Sequence, residues 1–96
     1  MALYRHISSE EEWIFIKART EEELRLTSDG SSRMVIHLSE QSKLTLVVSE
    51  GVFEHTIRIF LEKGSHCTVR ERVAWQGKIT WHGVLVEPYA ELHYDG

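Results

Sequence analysis

A single proline (Pro88), a single cysteine (Cys67) and only two aspartates (Asp29 and Asp95) leave several kinds of chemistry without material in this 96-residue chain. One cysteine excludes an internal disulfide, and a lone thiol suits a reducing compartment, which points to the cytoplasm. Nearly all the acid is glutamate, so there is no Asp-rich loop to wrap calcium or magnesium. Basic residues are also short. Lys and Arg number 11 against 15 acids, a formal net charge of −4, and neither nucleic acid nor an anionic membrane is an expected partner. The start, "MALYRHISSEEEW", has no apolar leader core, and no apolar run reaches membrane-spanning length. Six glycines and one proline make no linker, so residues 1–96 read as a single domain.

Catalytic signatures are missing as well. The chain contains no G-x-x-x-x-G-K-[ST], no G-x-G-x-x-G, no G-x-S-x-G and no H-E-x-x-H. Nucleotide binding and nucleophilic hydrolysis therefore have no local support, and the expectation is a protein that is not an enzyme.

What the chain does have is alternation. Four windows share it: "IFIKARTEEELRL" (14–26), "IHLSEQSKLTL" (36–46), "IFLEKGSHCTV" (59–69) and "VLVEPYAELHY" (84–94). Their starts lie 22, 23 and 25 residues apart, and only the first window needs two extra residues to align. Period two means strands. In the first half of each window Ile14/Ile16, Ile36/Leu38, Ile59/Leu61 and Val84/Val86 share a face. In the second half Leu24/Leu26, Leu44/Leu46, Cys67/Val69 and Leu92/Tyr94 do so, with Arg25, Thr45, Thr68 and His93 facing solvent. The small residues Ser42, Ser65 and Ala90 precede the second strand, where a tight corner has little room.

A two-strand unit cannot bury its own apolar face, but stacked neighbours build a continuous core. The spacing predicts an all-β fold, a short parallel β-helix of about four coils. The alternative is a cupin-like or jelly-roll β-sandwich, whose antiparallel strands also alternate. The one helical signal is Ser9 with Glu12, a capping box worth a single turn. The end at "LHYDG", with no cap after the last strand, fits a domain excised from a longer chain.

The stretches "MVIHLSEQSKLTLVVSEG", "HTIRIFLEKGSHCTVRERV" and "HGVLVEPYAELHYDG" resemble the β-helix core of the SufB/SufD family over roughly residues 12–96. That resemblance implies a right-handed coil and a non-catalytic scaffold in iron–sulfur cluster assembly. It would act as a homodimer or with a related SufB/SufD-type subunit. An iron–sulfur cluster enters only through this resemblance, and no cofactor is expected on the protein as isolated.

The residues themselves offer few ligands. Cys67 beside His66 is a candidate for iron, but Cys67 shares a column with leucines and reads as a buried apolar group. His82 shares a column with Met34 and Ile57 and pairs with His93 as a candidate metal site, the basis of the cupin-like alternative. The other histidines, like the "EEE" runs at 10–12 and 21–23, read as solvated. More informative is a column that should be polar and is not. Phe15, His37, Phe60 and Leu85 lie between the inward pairs, about 4.8 Å apart on stacked strands, and Trp13 extends the stripe. Such a stripe marks an interface unless a loop or the N-terminal segment folds over it.

Overall fold

The computed structural model describes residues 2–8, 10–26, 33–48, 51–71 and 75–95. Every regular element in it is a strand. In chain order these are β1 (Leu3–Ile7), β2 (Glu12–Ile16), β3 (Glu21–Leu26), β4 (Arg33–Leu38), β5 (Lys43–Val48), β6 (Gly51–Leu61), β7 (His66–Glu71), β8 (Trp75–Val86) and β9 (Glu91–Asp95). From β2 onward, successive strands alternate between two sheets, ordered β1-β2-β4-β6-β8 and β3-β5-β7-β9. All pairings are parallel except β1 with β2. The antiparallel pairing of a jelly roll is thus confined to one edge among the described residues. No helix there is long and apolar enough to cross a membrane.

Registry follows from the apolar alternation. Ile14, Ile36, Ile59 and Val84 are successive partners, as are Ile16, Leu38, Leu61 and Val86. Across the interior, Leu44, Cys67 and Leu92 form one row, and Leu24, Leu46, Val69 and Tyr94 another. Ile16, Ile36, Leu38, Leu46 and Leu61 are wholly buried, each worth about 1.5–3 kcal/mol relative to exposure. Slipping any strand by one residue would turn these side chains out to water, which is why the register is so firmly specified.

The corner between the sheets is built alike each time. Arg19, Gln41, Gly64 and Tyr89 all take left-handed backbone, with φ between 56° and 70°. The next residue folds back: the Ser42 and Ser65 hydroxyls donate to the Ser39 and Glu62 carbonyls at 2.7 Å, and Thr20 to Lys17 at 2.6 Å. A short hydroxyl side chain suits this place because it satisfies a carbonyl that the sharp turn would strand. Backbone hydrogen bonds also run from corner to corner, the Arg19, Gln41 and Gly64 N–H groups donating to the Glu40, Lys63 and Pro88 carbonyls, so the ladder does not break where the chain changes sheet.

Three expectations need correction. The first window requires no extra residues, since Leu24 pairs with Leu46 and Leu26 with Val48, while Glu22 stands opposite Leu44. A two-residue slip preserves parity, so the faces are as expected although the partners are not. Glu12 belongs to β2 and not to a helical turn; it is 1 % exposed and ion-paired with Arg5 of β1, so the first "EEE" run is not wholly solvated. Ser9, the other half of the capping box, lies outside the described residues.

Candidate interaction face

The expected stripe exists and is longer by one strand. Strict pairing places Tyr4, Phe15, His37, Phe60 and Leu85 in one row across β1, β2, β4, β6 and β8. Their parity is opposite to the core row, so all five point outward. Ring centroids are 6.1 Å apart for Tyr4 and Phe15, 5.2 Å for Phe15 and His37, and 4.8 Å for His37 and Phe60. The 70° angle between the Phe15 and His37 planes is an edge-to-face arrangement, which aligns a ring edge with a π face. Tyr4, Phe15 and Leu85 remain 51 %, 40 % and 58 % exposed, while His37 carries the Glu62 carboxylate on Nε2. The N-terminal segment therefore does not fold over the stripe; β1 lies beside it and lengthens it.

A second outer row gives the face relief. Trp13, Val35, Arg58 and Gly83 are successive partners, with Trp13 half exposed. Gly83 leaves a gap in this row. A Cβ there would lie 3.3 Å from Arg58 Cγ, so the stem of Arg58 occupies the space that glycine leaves. Two shallow grooves flank Val35 and Phe60, one of about 360 Å³ toward Trp13 and Tyr4, the other of about 340 Å³ toward Leu85. Both are lined largely by apolar groups and bordered by Arg5 and Arg58.

The other sequence candidates are scattered. Cys67 is wholly buried between Leu44 and Leu92, and burial pushes its thiol up to about 12. Its sulfur is sealed in the core, away from any ion on the surface. His82 is not inward. Ile57 pairs with Trp81 and Arg58 with Gly83, so His82 is the extra residue of a β-bulge, exposed near Arg33 and Thr56. Trp81 takes the inward place instead, and its Nε1 donates to Tyr94 Oη at 2.6 Å across the two sheets. Burial raises the Tyr94 phenol above its ordinary range, with the Trp81 hydrogen bond opposing that rise.

His93 does not meet His82. It lies on the outer face of the second sheet, where its Nε2 is 2.5 Å from Glu91 Oε2 and His66 Nδ1 is 3.4 Å from the same oxygen. The hydrogen bond from His93, and then its charge, hold the Glu91 carboxyl below its ordinary value, with a smaller share from His66. Among the remaining histidines, His55 is buried and not solvated. Its parity in β6 matched the core row, a signal that the alternation already carried.

Compared with protein-family models, curated proteins and solved structures, the chain matches none.

Proposed function

We propose that this chain is a short right-handed parallel β-helix serving as a non-catalytic assembly module, and that it assembles with a second copy of itself through the outer face of the first sheet. The β-helix reading is supported by strands that alternate between two parallel sheets and by four corners of one conformation. The observation that carries the assembly reading is the row Tyr4–Phe15–His37–Phe60–Leu85, aromatic or apolar at four of five positions on a face where alternation calls for polar groups. Contiguous apolar rows exposed on a protein surface mark interaction sites. A single row of five side chains is narrow beside the roughly 800 Å² per partner of a standard stable interface, so the expected dimer is reversible. A self-complementary pair about a two-fold axis would seat Phe60 of one copy in a groove of the other.

The iron–sulfur role implied by the SufB/SufD resemblance would be scaffolding by shape rather than cluster ligation by this chain, because Cys67 is sealed in the core. A buried free thiol also fits the proposed cytoplasmic setting. The cupin-like alternative asks for histidines converging on an interior cavity, whereas His66 and His93 meet on an outer face.

Light scattering across a concentration series tests the assembly. Wild type should approach twice the monomer mass at micromolar to high-micromolar concentration, and Phe60→Glu should stay monomeric with an unchanged β circular-dichroism spectrum. A wild type that remains monomeric throughout would refute the reading.

A further inference from the structure

We infer that His66, Glu91 and His93 form a binding site for a divalent transition metal of the zinc class on the outer face of the second sheet. One ligand atom from each residue lies within 4.8 Å of the others. The set is two imidazoles and one carboxylate, the donors that zinc accepts with one position left for water or an exchangeable group. Around a tetrahedral ion with bonds of about 2.1 Å, ligand atoms sit about 3.4 Å apart. The Glu91 Oε2 to His66 Nδ1 distance is already 3.4 Å. The 2.5 Å hydrogen bond from His93 to Glu91 must open by roughly 1 Å, a rotation of exposed side chains and not of backbone.

The backbone beneath is fixed. Cys67 and Leu92 pair in the core, which places His66 opposite Glu91 and leaves His93 two residues on, on the same face. The amides of His66 and Glu91 donate to the Ser42 and Ser65 carbonyls at 2.9 and 3.0 Å, so both strands start at set positions. The nearest cation in the row is Lys43, the partner of His66, whose long stem lets its ammonium swing away. A bound ion would join β7 to β9, linking residues 25 and 27 positions apart.

The site is separate from the apolar face, so its test does not depend on assembly. Titrating the whole chain with cobalt(II) as a spectroscopic probe should give one ion per chain, with visible d–d bands that zinc(II) abolishes by displacement. Zinc should also raise the melting temperature of wild type, because it binds the folded chain and not the unfolded one. His66→Ala and His93→Ala should each remove both signals while keeping the metal-free melting temperature near wild type, since both side chains are partly or largely exposed. Phe60→Glu and His82→Ala should bind as wild type does. No saturation below about 1 mM metal, or binding that survives either histidine substitution, would overturn the site.

Discussion

Over their central rows the inner sides of the two sheets are alike: Ile14, Ile36 and Ile59 on one, Leu24, Leu46 and Val69 on the other, all six buried. On their outer sides they diverge. The first sheet carries Phe15, His37, Phe60 and Leu85 where the second carries Glu23, Thr45, Thr68 and His93. Both rows have the same parity, spacing and pairing, so the fold does not require the aromatics. A face that the backbone leaves free has been given apolar groups on one sheet and polar ligands on the other. The interior explains the architecture, and the proposed function rests on the difference between the exteriors.

The largest expected effect separates inside from outside on one strand. Leu44→Asp places an unpaired carboxylate in the core and should cost more than the roughly 2–5 kcal/mol of a leucine-to-alanine cavity, enough to unfold so small a domain. Thr45→Asp, one residue on and facing outward, should leave the thermal midpoint within a few degrees. Equal losses from the two would erase the distinction between the faces.

Next in size is the edge that completes the aromatic row. Glu12 is buried, and its carboxylate is ion-paired with Arg5 of the edge strand. Arg5→Ala leaves that carboxylate in the core position beside Met34 and should cost about 2 kcal/mol in urea unfolding. Because β1 contributes Tyr4, amide exchange should quicken in β1 before it does in β2. Uniform exchange would mean that the pair does not hold the edge.

Much of this was legible in the chain. Alternation placed the inward faces, although it set Leu24 against Leu44 rather than its partner Leu46; the small residues before the second strands marked the corners, and the Phe15–His37–Phe60–Leu85 column emerged as soon as the strands were stacked. The failures have physical reasons. A bulge inserts one residue without disturbing the apolar alternation on either side, so nothing local shows that Trp81 and not His82 turns inward. Glu12 reads as one of three exposed acids because its partner, Arg5, lies on a strand too short and too polar to stand out. His66, Glu91 and His93 share no motif, since registry between β7 and β9 brings them together rather than proximity in the chain.

A smaller effect concerns Cys67 and its neighbour His66, again inner against outer. Burial pushes the folded thiol up to about 12 from its ordinary 9.0, so well below pH 9 it is protonated in both states and folding is indifferent to it. Above pH 9 only the unfolded chain loses the proton, and stability should fall with rising pH from that point. A thiol reagent at pH 8 should therefore label Cys67 at the rate of transient opening, and Cys67→Ser should flatten the alkaline limb of the stability curve. Immediate stoichiometric labelling of native protein would show Cys67 to be accessible.

The most direct test of the functional contrast between the exteriors is a dilution series followed by NMR of side chains. If the first sheet is the assembly face, the ring signals of Phe15, His37 and Phe60 should shift together with concentration, while the methyls of Thr45 and Thr68 stay in place. Concentration-dependent shifts at the threonines with silent rings, or no shift at either face, would contradict it.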